Sequence, residues 1–141
     1  MKRLSLILAL AMLGVLAVAP VAQAAPSTVF TGEWTATDRG DGSTEHLVIQ
    51  GGTRVQIVYV DEVATSVCAD QASAAFTSLL TGVVDGDTLN AGFAVVKCGR
   101  TTIFTRAAGF GVTWVFDPGD DAADPSDDTL TDDFGDIWHR A

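Results

Sequence analysis

Beyond a short lead-in, hydrophobic and polar positions fall into short runs with a period of two, separated by Gly, Asp and Asn. Period-two alternation places successive side chains on opposite faces of a strand. Residues 29–37 form the first such run, and the turn residues Asp38-Arg39-Gly40-Asp41-Gly42-Ser43 close it. Residues 45–50 put Leu47 and Ile49 on one face, with His46 and Gln50 opposite. After Gly51-Gly52, residues 54–60 put Val55, Ile57 and Tyr59 on one side and Arg54 and Gln56 on the other. Two alternating runs joined by a glycine pair predict a β-hairpin.

Residues 70–80 fit a helical period as well as a strand period, through Ala72, Ala75, Phe76 and Leu79. The hairpin turn Asp85-Gly86-Asp87 decides for a loop to about residue 75 and a strand through 84, because Asp-Gly readily adopts the positive φ angles of a tight turn. Strands over 88–98 and 101–106 follow, then a bend at 107–109. The strongest alternation is in 110–116, where Phe110, Val112, Trp114 and Phe116 share a face. The loop at 117–128 carries Pro118 and Pro125, and a last hairpin covers 129–132 and 136–140. About eight short strands with little room for helices predict an all-β fold, an antiparallel up-and-down β-barrel or barrel-like sandwich. Its expected core comprises Trp34, Ile49, Ile57, Tyr59, Phe93, Val112, Trp114 and Phe116.

The first 24 residues follow a different pattern. Lys2 and Arg3 precede an apolar run over 4–19 interrupted only by Ser5, and Ala22-Gln23-Ala24 has the small-x-small form of a cleavage site. This is the layout of a secretory signal peptide; the run ends at Pro20, short of the roughly 20 apolar residues that span a bilayer. The alternative is a retained anchor, which would export the domain as well. The expectation is residues 1–24 as signal and residues 25–141 as a single all-β domain, secreted or held in the periplasm or at the cell surface.

Export changes the meaning of charge and cysteine. Loss of Lys2 and Arg3 moves the formal net charge from −10 to −12, which disfavours nucleic acid and anionic membrane surfaces as partners. Two cysteines, Cys68 and Cys98, in an oxidising compartment are expected to pair. At a sequence separation of 30 residues, such a bridge would contribute roughly 3 to 4 kcal/mol by restricting the unfolded chain.

Gly32-Glu33-Trp34 in the first strand, with Trp138-His139-Arg140 at the end, resembles the lipocalin-like (calycin) group of small secreted β-barrels. The resemblance implies an eight-stranded meander whose signature is Gly32 and Trp34, with Arg140 laid across the Trp34 ring. It also implies a barrel mouth able to take an apolar ligand. At 117 residues after cleavage the barrel is short, and side chains alone could fill it. Tyr59, Phe93, Phe110, Trp114 and Phe116 are the aromatic candidates for a ligand-facing or core surface.

Other chemistry is thin. Nine of the 18 acids lie within 117–136 with no Lys or Arg among them, and Asp120, Asp121, Asp124, Asp127 and Asp128 are weak calcium candidates. The regular spacing of a calcium loop is missing, and a solvated acidic loop is the plainer reading. Asp38, Asp41, Ser43 and Glu45 offer a second oxygen-rich group. Arg39-Gly40-Asp41 spells an adhesion tripeptide that ordinary turn chemistry also explains. His46 and His139 have no nucleophile pattern beside them, so no catalytic residues are assigned and an enzyme is not expected. The sequence therefore points to a secreted non-enzymatic binding domain without a cofactor, its partner a small apolar or amphipathic ligand. The alternative is a protein-interaction module, such as a protease inhibitor or a surface-associated domain. The oligomeric state is left open.

Overall fold

A computed structural model describes residues 29–63, 68, 75–105, 111–121 and 123–141. The expected signal segment at 1–24, the bend at 107–109 and Phe110 lie outside the described residues. The described chain is all-β. Its strands are β1 (Gly32–Thr37), β2 (Thr44–Gly51), β3 (Arg54–Asp61), β4 (Phe76–Asp85), β5 (Thr88–Cys98), β6 (Thr101–Thr105), β7 (Gly111–Asp117), β8 (Thr129–Asp132) and β9 (Ile137–Arg140). Pairing runs β4-β3-β2-β1-β9-β8-β7-β5, and β4 also pairs with β5. The sheet thus closes as an eight-stranded antiparallel barrel, which removes the open edges a sandwich would leave.

One strand departs from a simple meander. β5 is 11 residues long and pairs along its length with β4, but its other edge is shared. Thr88–Gly92 pair with β7, while Val95–Cys98 pair with β6. β6 is therefore a ninth strand, hung on the end of β5 outside the closed ring. The first strand also starts later than its alternation suggests. Val29 and Phe30 form a turn, because Phe30 folds across the barrel end to become fully buried.

The interior is filled by one apolar cluster containing Phe30, Trp34, Leu47, Ile49, Ile57, Leu80, Leu89, Trp114, Leu130 and Trp138. Of the expected core, Trp34, Ile49, Ile57, Val112 and Trp114 are buried, and Tyr59, Phe93 and Phe116 pack against the cluster half-buried. Cys68 and Cys98 form a disulfide with Cα atoms 5.7 Å apart. It fastens the β3–β4 connection to the last residue of β5 and fits an extracellular or periplasmic setting. No helix among the described residues is long and apolar enough to cross a membrane.

Candidate functional site at the open end of the barrel

The two barrel ends are built differently, and the inward face of each strand shows why. At the end where β1 starts and β9 finishes, Phe30 covers the interior and Arg140 ties it down. The Arg140 guanidinium stands 4.2 Å from the centroid of the Trp34 ring. Its Nε donates to Asp128 Oδ2 at 2.9 Å, and its two Nη atoms donate to the carbonyls of Thr31 at 3.3 Å and Val29 at 2.6 Å. Trp34 Nε1 donates to the Phe30 carbonyl at 2.9 Å. Gly32, at φ 138°, admits this crossing: a Cβ there would meet Arg140 Nη1 at 3.3 Å on a backbone that L-residues rarely adopt. Phe116 belongs to this end, its ring 5.9 Å from Phe30.

At the opposite end the inward alternation continues, but its chemistry changes from apolar to acidic. Trp34 and Ala36 lead to Asp38, Ile49 and Leu47 to Glu45, and Ile57 and Tyr59 to Asp61. Leu130 leads to Asp132, and Trp138 back to Asp136. Glu45, Asp61, Asp132 and Asp136 are each less than a tenth exposed. These acids join Tyr59, Phe76, Phe93, Val112, Trp114, Trp138 and the exposed Phe134 around an open cavity of about 360 Å³.

Most of the acids are held by local hydrogen bonds. Asp132 accepts the amides of Phe134 and Asp136 on Oδ1 and the Trp138 indole on Oδ2, which shapes the β8–β9 turn. Asp136 accepts the Arg39 amide at 3.1 Å, and the Arg39 side chain donates to the Gly135 carbonyl, linking the β1–β2 and β8–β9 turns over the mouth. Asp61 Oδ1 accepts the Ser43 hydroxyl at 2.7 Å and the Val63 amide at 3.0 Å. Glu45 Oε1 accepts the Tyr59 hydroxyl.

Two polar atoms of cavity-lining residues are left over: Glu45 Oε2 and Trp114 Nε1 are buried without a hydrogen-bond partner among the described residues. A third buried atom in that condition, Ser78 Oγ, belongs to β4 and does not line the cavity. Leaving a buried polar group unsatisfied costs roughly 1 to 3 kcal/mol, so such groups ordinarily have a partner. The electrostatics agree. Burial, with help from Asp136, Asp38 and Asp132, pushes the Glu45 carboxyl up to about 7 against the lowering effect of the Tyr59 hydrogen bond. Burial and the adjoining Glu45 raise the Tyr59 phenol. Burial and the neighbouring Asp132 and Asp38 raise the Asp136 carboxyl, although the Arg39 amide opposes them.

Asp38, Glu45 and Asp61 also form a group in which one oxygen of each lies within 4.8 Å of one from the others, with two of the three residues buried. The acidic loop does not converge in this way. Asp127 Oδ2 accepts the amides of Asp120 and Asp121, both at 3.1 Å. Asp121 accepts the Ala123 amide, and Asp124 accepts the Ser126 amide, with hydrogen bonds from Ser126 lowering its carboxyl. Asp128 is turned away from the loop and into the barrel, toward Arg140. Neither histidine lines this cavity: His46 meets Glu62 on the outer face at 3.2 Å, and His139 is exposed.

Comparison with protein-family models, curated proteins and solved structures gives no significant match.

Of the aromatic candidates, Tyr59, Phe93 and Trp114 face the cavity and Phe116 packs at the covered end. The alternation puts Leu47 on one face of its strand and Tyr59 on one face of the next, and the same period reaches Glu45 and Asp61 two residues from them. Extending the period by one step was the available signal.

Proposed function

We propose that this protein is an exported binding barrel that holds a small amphipathic molecule in the cavity at its open end. The carrying observation is the pairing of an aromatic wall with two buried polar atoms that have no partner among the described residues. Trp114 Nε1 offers a donor and Glu45 Oε2 an acceptor, while Tyr59, Phe76 and Phe93 supply apolar surface. Ligand pockets of roughly 300 to 1,000 Å³ commonly combine an apolar lining with a few such polar groups. At about 360 Å³ the cavity suits a compact molecule rather than a long chain.

Export is part of the proposal and draws support from the leader pattern and the disulfide. The aromatic residues extend to the rim, where Phe134 is 72% exposed. A side chain of that kind at a mouth gives an entering ligand an apolar surface to cross.

Native mass spectrometry of protein recovered from its own culture medium tests the reading. A retained mass that is lost when Trp114 is replaced by Ala supports it. Protein at the bare chain mass, together with no response to a library of small amphipathic molecules, contradicts it.

A second reading, a protein-interaction module, draws on the outer wall. There Val58 and Leu79 are cross-strand partners, 38% and 47% exposed, and Val83 continues the same face of β4. Replacing Leu79 with Lys would break an association through that wall and leave the cavity untouched.

A further inference from the structure

We infer that the cavity selects an organic cation: a protonated amine whose ammonium group sits among Asp38, Glu45 and Asp61 while its apolar body lies against Tyr59, Phe76 and Trp114. This rests on the proposed function and goes further by naming the ligand's charge.

Charge at this end is out of balance: five carboxylates line this cavity, and among the described residues Arg39 is the only cationic side chain lining it with them. The Arg39 guanidinium is already drawn to the Gly135 carbonyl. Removing negative charges from water is costly unless each is paired or hydrogen-bonded. Glu45 is 3% exposed, and its second oxygen has no partner among the described residues. A cation entering here supplies the missing partner and relieves the mutual repulsion of the acids.

The kind of cation follows from what the acids have left to give. Gly40, Tyr59 and Ser43 with Val63 engage one oxygen each of Asp38, Glu45 and Asp61. The other oxygen of each carboxylate has no hydrogen bond among the described residues. Three acceptors match the three N–H donors of a primary ammonium. A bare calcium ion needs about six to eight oxygens. Calcium would also leave the aromatic wall and the Trp114 indole unexplained. Trp114 is 1% exposed, and its unpartnered N–H is an independent sign of a ligand, one that carries an acceptor or a π face. Aromatic rings attract cations through their negative faces, by roughly 2 kcal/mol when desolvated, so wall and acids favour the same ligand.

The test is calorimetric titration of the folded protein at pH 8 with phenethylamine and tryptamine. Each is compared with the alcohol of the same skeleton, and calcium chloride serves as a separate probe. The inference predicts that at least one amine binds about tenfold or more tightly than its alcohol. Glu45→Gln should remove that preference; Asp61→Asn gives the same readout should the first variant fail to fold. Equal binding of an amine and its alcohol overturns the cation inference and leaves the cavity reading standing. Calcium binding without amine binding also overturns it, in favour of a hard-ion site. No binding by any probe overturns the inference and the cavity reading together.

Discussion

The two ends of this barrel use similar residues to opposite effect. Each places charged side chains on the inward face, two residues beyond a buried apolar one. At the covered end Asp128 meets Arg140, which lies over Trp34 and reaches two backbone carbonyls. At the open end Glu45 meets Tyr59 on one oxygen, and the other has no hydrogen-bond partner among the described residues. Charge is structural where it has a partner inside the molecule. Where the partner is missing, the same kind of charge lowers stability and provides for a ligand, a trade-off familiar from binding and catalytic sites.

Loss of the disulfide gives the largest expected effect, and it bears on the open end, because Cys98 closes β5 beside Phe76 at the mouth. Replacing both Cys68 and Cys98 with Ser should cost about 3 to 4 kcal/mol in a denaturant titration. A loss under about 1 kcal/mol would mean the crosslink does little to hold that end.

Arg140→Ala should come next, destabilising by about 3 kcal/mol by leaving Asp128 buried and unpaired and removing the contact over Trp34. Arg140→Lys should recover only part of this, since lysine cannot match the forked donor geometry. Glu45→Gln should act in the other direction. Removing a charge from the open end is expected to raise stability at pH 8 by about 1 kcal/mol, seen as a Tm several degrees higher. If removing charge lowered stability equally at both ends, the contrast between them would be gone.

A further effect follows pH. Glu45 faces Tyr59 and Asp61 from β3, Asp38 and Arg39 from the β1–β2 turn, and Asp132 and Asp136 from the β8–β9 corner. Its carboxyl has an ordinary value of 4.5 and stands at about 7 in the fold. The folded state therefore holds a proton that the unfolded state releases. This contribution to stability is complete below about 4.5 and is lost as pH rises through about 7. Stability measured from pH 5 to pH 8 should fall with pH in the native chain and fall less in the Glu45→Gln variant.

Much of the fold was legible because turn chemistry and alternation agree. Gly51-Gly52 and Asp85-Gly86 mark hairpins that form where expected, and Thr88–Cys98 is one strand from end to end. Partner choice was less legible. Nothing local distinguishes β6 from β7 as the neighbour of β5; that depends on where the ring closes, which nonlocal pairing decides. The site was half legible. Tyr59, Phe93 and Trp114 stood out as aromatics on an inward face. Glu45 and Asp61 did not, because an acid beside a turn reads as solvated. Asp128 was misread for the same reason, since it ends an acidic loop whose other members bond their own backbone. Whether such an acid faces in or out is set by the strand's period rather than by its loop-like neighbours.

The most direct test follows the three tryptophan indole N–H signals by two-dimensional 15N NMR while small amphipathic molecules are added. Trp34 Nε1 is bonded to the Phe30 carbonyl and Trp138 Nε1 to Asp132, while Trp114 Nε1 is unpartnered at the cavity. A binding open end predicts that the Trp114 signal shifts with added ligand and the Trp34 signal holds still. A Trp114 signal that stays fixed while other residues respond would place binding elsewhere and contradict the account.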